Sequence, residues 1–314
     1  MLAVAIPCFR VKSQIGEVLS QIGPEVERIY VVDDACPEQT GKHVQATCRD
    51  PRVRVLFHEK NQGVGGATLT GFKQGLQDGA SILVKLDGDG QMNSALIPAL
   101  TRPLREGFAD YTKGNRFFSP AFLSGMPVQR LLGNSALSFI SKISSGYWRV
   151  MDPTNGFIAI HSKALASLPI DKIARSYFFE SDLLFRLNTI LAVVVDVPMP
   201  ARYGCEPSSL RVWRILFPFF FRHLACFSKR VFYGYFLRDF NLGSVQGIAG
   251  LALTGFGALF GALTWHESAQ AGRLTPTGTV MIAVLPILIG IQLLLSAVHY
   301  DILNEPRVPL QKLL

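Results

Sequence analysis

The sequence contains few charged residues and few cysteines for its length. Asp, Glu, Lys and Arg make up 17% of 314 residues, below the usual share of about a quarter, whereas hydrophobic residues make up 49%. The five cysteines are an odd number and include no Cys-x-x-Cys pair, a pattern typical of reduced packing residues rather than disulfides. The mean hydropathy of +0.27 indicates that part of the apolar surface faces lipid.

Formal charge is missing altogether from Phe240–Trp265, and Leu274–Tyr300 is almost as apolar. Each run is long enough to cross a hydrocarbon layer, which needs about 20 residues. The connector between the runs is short, so they predict a transmembrane hairpin. The chain start, MLAVAIPCFR, lacks the positive region and the length of a signal peptide and is typical of a first strand.

Acidic residues are nearly absent immediately before the first apolar run. Between Arg202 and Arg238, seven basic residues accompany a single acid, Glu206. This positive-inside signature predicts a multi-pass protein of the cell (inner) membrane, with the preceding domain and both hairpin ends in the cytoplasm.

The same basic residues interleave with Trp, Phe and Tyr. We interpret 210–239 as one or two interfacial amphipathic helices, broken near Pro218 and attracted to anionic headgroups. A globular core helix with a solvated face is the alternative. The net charge of +8 is concentrated here, and no nucleic-acid-binding motif accompanies it, so we expect a lipid bilayer rather than nucleic acid as the partner.

The first 200 residues alternate short apolar runs with helix-length segments. Strands are predicted at 2–7, 28–32, 53–57 and 81–86, and helices at 14–22 and 67–77. This order indicates βαβ units and a mostly parallel sheet, where ligands bind at the carboxyl ends of strands. The polar stretches DDACPEQT, HEKNQGVGGA and DGDGQ follow three of these strands and are expected to converge on one crevice.

Asp87 and Asp89 follow the fourth predicted strand and are separated only by Gly88. Two carboxylates in a crevice repel each other unless a cation lies beside them, and oxygen ligands favour Mg²⁺ or Mn²⁺. A polar turn is the plainer interpretation of this pair. An EF-hand is excluded because Met92 and Pro98 replace the required Gly and Glu. The glycines from Gly63 onward do not match a dinucleotide-binding fingerprint.

The stretches VVDDACPEQT, NQGVGGATLTGF, KLDGDGQ, KGNRF and DPTNGF occur in the order found in family 2 glycosyltransferases with the GT-A fold, which the chain resembles. The later SYFFESDLLFRL, the basic segment and the hairpin resemble polyprenyl-phosphate glycosyltransferases, the group of dolichol-phosphate mannose synthase and bactoprenol glucosyltransferase. The resemblance implies a GT-A domain at 1–209, interfacial helices at 210–239, transmembrane helices at 240–300 and a cytoplasmic tail at 301–314.

The resemblance also implies roles for individual residues. Asp34 would hold the base, and Arg116 and Arg130 the donor and acceptor phosphates. Asp152 and Asp182 would face the sugar and acceptor, although Asp152 could cap a turn and Asp182 could pair with Arg186. The implied donor-binding residues are Pro7, Asp34, Gly63, Asp87, Gly88, Arg116, Arg202 and Arg211, the metal ligands are Asp89, Gln91 and Asp87, and the catalytic residues are Asp152, Asp182 and Arg130.

By the same resemblance, the expected reaction is inverting transfer of one sugar from a UDP- or GDP-sugar to a polyprenyl phosphate. Ala35, Cys36 and Glu38 depart from the family pattern DDGSxDxT and leave the nucleotide open. One alternative is the same fold acting on another lipid or a polysaccharide, although no Q-x-x-R-W motif is present. A distant alternative is a non-catalytic nucleotide-binding membrane protein. GxxxG faces at 243–247 and 257–261 would serve either a homo-oligomer or packing within the hairpin.

Overall fold

The computed structural model describes residues 1–123, 128–200 and 212–314. Within these residues seven strands form one sheet: β1 (Leu2–Cys8), β2 (Arg28–Asp33), β3 (Val53–Phe57), β4 (Ile82–Lys85), β5 (Tyr111–Asn115), β6 (Ile158–His161) and β7 (Val194–Pro198). The α-helices of the same residues are α1 (Ile15–Ser20), α2 (Thr40–Thr47), α3 (Gly63–Gln77), α4 (Ile97–Arg105), α5 (Val128–Ser145), α6 (Ser162–Ala166), α7 (Phe179–Thr189), α8 (Val212–Phe232), α9 (Leu242–Gln270) and α10 (Thr277–Leu303).

The sheet is mostly parallel, as predicted. Its strand order is β3-β2-β1-β4-β6-β5-β7, and β6 alone among these strands runs antiparallel to its neighbours. Both faces are covered, because Val4 and Ile6 of β1 pack in one hydrophobic cluster while Ala3 and Ala5 pack in another. Because β1 to β4 run parallel, the carboxyl ends of β2, β3 and β4, which the polar stretches follow, lie at one edge of the sheet.

The predicted strands are confirmed within one or two residues, but α3 begins at Gly63 rather than Ala67. The earlier start is explained by the side chain of Asp34, which lies 29 residues before the helix in the sequence. Asp34 accepts the N–H groups of Gln62 and Gly63, each at 2.8 Å, and so satisfies the first free donors of the helix. Gly63 has a φ of +84°, a conformation that favours glycine.

The chain divides into two compact units, one of Met1–Ser228 with Pro306–Leu314 and one of Lys229–Glu305. We call Pro306–Leu314 the C-terminal strap. The predicted division into 1–209, 210–239, 240–300 and 301–314 stays a prediction. In the structure the first unit, which we call the sheet domain, extends into α8 and includes the strap. The strap is short and aperiodic, so no sequence pattern indicated where it packs.

The strap is held by a buried carboxylate. The N–H groups of Leu310 and Gln311 donate to Asp110 at 2.7 and 2.8 Å, and Val193 N–H donates to the same carboxylate at 2.8 Å. Asp110 is fully buried. The Gln311 side chain donates in turn to the carbonyls of Leu104 and Ala109. Among the described residues, three backbone N–H groups donate to the Asp110 carboxylate, and two of them belong to the strap.

The second unit contains the two apolar helices predicted as a transmembrane hairpin. α9 and α10 each contain an 18-residue stretch of high mean hydropathy, 1.6 and 2.5, and are candidate membrane spans by length and composition. They pack closely at glycines: a methyl group on Gly257 would lie 2.7 Å from Ile287 Cγ1, and one on Gly250 would lie 2.9 Å from the Gly290 carbonyl. The 257–261 face is therefore used within the hairpin, one of the two predicted alternatives.

α8 was predicted to break near Pro218, and this prediction is wrong. The helix continues through Pro218 to Phe232. A proline inside a helix removes one backbone hydrogen bond and can kink the helix without ending it. In the first unit, His223 and Phe219 of α8 pack edge-on against Phe178. Phe217, Phe220 and Phe221 are more than half exposed, so α8 presents an aromatic outer face.

Candidate active site

Lys85, the last residue of β4, brings a buried ammonium to the edge where the polar stretches meet. Its Nζ lies 2.8 Å from Asp87 Oδ1 and 3.3 Å from Glu180 Oε1, and donates to the Gly156 carbonyl at 3.3 Å. Burial lowers the pKa of Lys85, but the two carboxylates raise it, and the net shift is upward. Burial raises the pKa of Glu180, which the ammonium offsets only in part.

Asp87, Asp89 and Gln91 lie together after β4, as the sequence predicted from the DGDGQ stretch. Asp89 Oδ1 accepts the Gln91 N–H at 3.0 Å, which fixes the turn. Asp87 Oδ1 is buried beside the Lys85 ammonium and accepts no other hydrogen bond from the described residues, so a lone pair is left for a cation. That metal ligation stays a prediction.

These residues fit a hard divalent cation. No group of three or more His, Cys, Asp or Glu side chains gathers as a metal site anywhere in the part of the chain that the structure describes. A cation here would take a small number of carboxylate and amide oxygens and complete its shell with water and phosphate oxygens, the usual arrangement for Mg²⁺ and Mn²⁺ beside a diphosphate.

Asp34, predicted to hold the base, is a buried structural acceptor in this structure. Besides the N–H groups of Gln62 and Gly63, its carboxylate contacts His58 Nδ1 at 2.7 Å, and His58 Nε2 lies 2.9 Å from Thr70 Oγ1. Asp34 is 3% exposed. A role in binding the base stays a prediction, and these contacts show that the carboxylate also organises the start of α3.

Pro7 and Gly88 lie on the same edge as Asp34. Pro7 is buried in β1 opposite Val32 of β2. A methyl group on Gly88 would lie 3.1 Å from Val11 Cγ2 and 3.4 Å from Cys8 Sγ, so the backbone approaches its neighbours closely. Pro7, Asp34, Gly63, Asp87 and Gly88 are thus brought to the carboxyl ends of neighbouring strands.

Arg116 and Asp152, predicted separately, form one bidentate ion pair. Arg116 Nε lies 2.6 Å from Asp152 Oδ2, and Nη2 lies 2.7 Å from Oδ1. Asp152 is fully buried and has a φ of +55°. Its burial raises the pKa, but the Arg116 guanidinium lowers it more, and the net pKa lies below the usual 3.8. Asp152 is therefore ionised at neutral pH and bound to Arg116.

Asp182 pairs with Arg186, the plainer of its two predicted interpretations. Asp182 Oδ2 accepts Arg186 Nε and the Ala174 N–H, each at 2.8 Å, and the side chain is 9% exposed. The acid of FFESD that contacts the Lys85 cluster is instead Glu180. A role for Asp182 toward the acceptor stays a prediction.

Three predicted arginines fall wholly or partly outside the described residues. The backbone of Arg130 lies on α5, but its side chain is not among the parts described, and Arg202 and Arg211 lie outside the described residues altogether.

Lys85 and Glu180 were not predicted as site residues. The available signal was the lysine itself, which interrupts an otherwise apolar strand in ILVKL. A lysine in a buried strand requires a partner, and the nearest acid along the chain is Asp87. Nothing in the sequence identified Glu180, 95 positions later, as the second partner.

Comparison with known proteins places the chain in a family. Residues 3–168, more than half of the chain, match the family described as Glycosyl transferase family 2. The chain is 28% identical over 217 residues to the UDP-N-acetylglucosamine--dolichyl-phosphate N-acetylglucosaminyltransferase of Methanococcus voltae, covering 65% of this chain and 86% of the relative. It is 32% identical over 173 residues to the undecaprenyl-phosphate mannosyltransferase of Micrococcus luteus, covering 54% and 70%.

Solved structures agree on the fold. Glucosyl-3-phosphoglycerate synthase from Mycobacterium tuberculosis, crystallised with Mn²⁺, UDP-glucose and phosphoglyceric acid, superimposes with a TM-score of 0.52 at 21% identity, covering 73% of this chain and 79% of that chain. The predicted GT-A architecture is confirmed at this level. The chain belongs to glycosyl transferase family 2, and is a glycosyltransferase whose homologues transfer sugars to polyprenyl phosphates.

Proposed function

We propose that this glycosyltransferase transfers one sugar from a UDP- or GDP-sugar to a polyprenyl phosphate at the cytoplasmic face of the cell membrane, with inversion at the anomeric carbon. The observation that carries the proposal is the combination, in one chain, of a family 2 domain with a two-helix apolar hairpin. The two relatives named above act on dolichyl and undecaprenyl phosphates, and they support the same acceptor class here. Their sugars differ, so the sugar stays open.

The strap supports the topology. The chain leaves the sheet domain before Lys229, passes through α9 and α10, and returns to the same domain at Pro306. Because the domain and strap are one folded unit, both ends of the hairpin lie on one side of any membrane that the two helices cross. The seven basic residues between Arg202 and Arg238 favour the cytoplasmic side. The exposed aromatic face of α8 suits contact with headgroups.

On the donor side, Asp87, Asp89 and Gln91 would hold the cation. When bound, a divalent ion supplies positive charge that stabilises the nucleoside diphosphate as it leaves. Arg116, held by Asp152, offers a guanidinium of fixed orientation for phosphate oxygens. Pro7, Asp34, Gly63 and Gly88 shape the pocket behind the donor, while Arg130, Arg202 and Arg211 are proposed to add charge to the donor and acceptor phosphates.

The acceptor needs little help to become a nucleophile. A phosphate monoester has a second pKa near about 6, so its attacking oxygen is already largely ionised at neutral pH. Asp152 forms an ion pair with Arg116, and Asp182 forms one with Arg186. These pairs support orienting roles for the two carboxylates rather than proton abstraction. The lipid phosphate then attacks the anomeric carbon from the face opposite the leaving diphosphate, and the product is a sugar linked through one phosphate.

The proposal is tested with membranes that carry the protein and with labelled UDP- and GDP-sugars. Parallel reactions receive a polyprenyl phosphate or the corresponding free polyprenol. We expect one donor to label the polyprenyl phosphate and none to label the free alcohol. Equal labelling of both lipids, or label in a growing polysaccharide, would contradict the proposal and favour a different acceptor.

A further inference from the structure

The Lys85 ammonium joins three segments that are far apart in the chain. It contacts Asp87 after β4, the Gly156 carbonyl before β6 and Glu180 in the first turn of α7. The Lys85 side chain is 2% exposed and that of Glu180 is 10% exposed, whereas the Asp87 side chain is 28% exposed. The cluster is therefore closed on the Lys85 side and open only at Asp87.

Gly156 leaves just enough space for the Lys85 ammonium. A methyl group on Gly156 would collide with Lys85 Nζ and lie 3.1 Å from Asp87 Oδ2. Any side chain at position 156 would therefore displace the lysine from Asp87. The glycine keeps the loop before β6 close enough for its carbonyl to accept from the ammonium.

The charges of the cluster do not cancel. One ammonium faces two carboxylates, so the lysine is shared, and its partner Asp87 is also a predicted contact of the donor and the cation. A buried ion pair is seldom a net source of stability, since apolar residues of similar volume are often as stable. A cluster that served only stability would have no need to end in a partly exposed carboxylate at the ligand-binding edge.

We propose that Lys85 and Glu180 are positioning residues for the donor site: Lys85 holds the Asp87 carboxylate in place, and Glu180 holds Lys85 from the opposite side. This inference rests on the proposed function for the identity of the donor. Neither residue touches the reacting atoms. Glu180 lies on α7, the helix that also carries Asp182, and Lys85 connects Glu180 to Asp87. One lysine therefore joins α7 to the carboxylate predicted to contact the donor.

The test separates positioning from stability by removing both buried charges at once. In Lys85→Met alone, Glu180 and Asp87 face each other unpaired, and both stability and function should fall. In Lys85→Met/Glu180→Leu, the buried Glu180 carboxylate is also removed, so the thermal midpoint should return most of the way to that of the parent protein. The partly exposed Asp87 carboxylate would still lack its lysine partner. The donor KM should therefore stay raised by about tenfold or more in the double variant.

Arg52→Met provides the control. Arg52 directly precedes β3, and its guanidinium donates to the Asp50 carboxylate and to the carbonyls of Ile22, Gly23 and Val26, away from the ligand-binding edge. Its loss should lower the thermal midpoint without a comparable rise in donor KM. A double variant that regains both the midpoint and the parental donor KM would overturn the proposal, because Lys85 would then serve stability alone.

Nucleotide binding gives a readout that is independent of the acceptor. Titration calorimetry with UDP and with GDP, each with and without MnCl₂, should show about tenfold weaker binding to the double variant than to the parent. Unchanged nucleotide binding would argue against the proposal. If the parent binds a nucleotide but fails to glycosylate polyprenyl phosphate, the proposed acceptor is wrong, while the comparison of Lys85 variants still stands.

Discussion

Arg116 and Asp152 meet in a bidentate ion pair in which the carboxylate is fully buried and the guanidinium is about one quarter exposed. Nε and Nη2 of the arginine therefore face the carboxylate, while another part of its side chain is exposed to solvent. A carboxylate in this position orients the arginine and cannot accept a proton readily, because its pKa is held below the usual value.

This arrangement predicts that the two residues act as a unit. Asp152→Asn and Arg116→Gln should each lower kcat/KM by about tenfold to a hundredfold, and the double variant should be little worse than either single variant. Steady-state kinetics of the three variants measure the coupling. Fully additive losses would mean that Asp152 contacts the substrate independently. Asp171→Asn, which breaks the exposed pair with Lys73, is the control for a lost surface ion pair.

Asp89 is expected to be essential through its charge. Asp89→Asn removes one anionic ligand and keeps the oxygen that accepts the Gln91 N–H, so the turn should persist. We predict a loss of activity of about a hundredfold or more with little change in thermal midpoint. EDTA should abolish parental activity, and Mg²⁺ or Mn²⁺ should restore it. Full activity of the variant in EDTA would rule out the cation assignment.

The strap is predicted to stabilise the sheet domain. Deleting 306–314 removes two N–H donors from the fully buried Asp110 carboxylate, which should cost about 2–5 kcal/mol in free energy of unfolding. Adding Asp110→Asn to the deletion should recover part of this loss, since an unpaired amide is less costly than an unpaired charge. Thermal unfolding in detergent measures both effects.

Deleting only 312–314 is the matched control for the strap, because Leu310 and Gln311 then keep their bonds to Asp110. This shorter deletion should change the midpoint much less. Equal midpoints for the parent and the 306–314 deletion would mean that the strap contributes nothing to the fold.

His223 on α8 predicts a pH-dependent stability. It is 3% exposed, its Nδ1 lies 2.7 Å from Ser144 Oγ, and burial lowers its pKa from 6.5 to about 4. Between these values the unfolded chain binds a proton that the folded chain does not, so stability falls as the pH drops from 6.5 to 4. The loss should reach about 2–3 kcal/mol.

In His223→Asn this acid-side loss should shrink, as measured by denaturant unfolding in detergent at pH 7 and pH 4.5. His43→Asn on α2 serves as the control and should keep the parental pH profile. Parallel pH profiles for His223→Asn and the parent would show that His223 is not the group responsible.

The strands and the DGDGQ turn could be predicted because each depends on local pattern. Apolar runs of strand length, separated by helix-length segments, determine βαβ order, and paired carboxylates after a strand stand out in an apolar context. The two spans were likewise visible as long uncharged runs. These features need no knowledge of which distant residues meet.

The remaining features depend on contacts between distant segments. Glu180 and Asp182 are two positions apart on α7, and only the helix orientation decides which one reaches Lys85 and which one pairs with Arg186. Asp34 could not be recognised as the acceptor for α3 because the helix begins 29 residues later. The strap has too few residues for any periodicity, and its partner Asp110 is 200 residues away.

The central claim is tested most directly by identifying the lipid product. Membranes carrying the protein are incubated with labelled donor and polyprenyl phosphate, and the labelled lipid is analysed by mass spectrometry before and after mild acid. The account predicts one sugar on one phosphate, with the label released by mild acid at the sugar–phosphate bond. A labelled lipid that survives mild acid, or one that carries a diphosphate or more than one sugar, would contradict it.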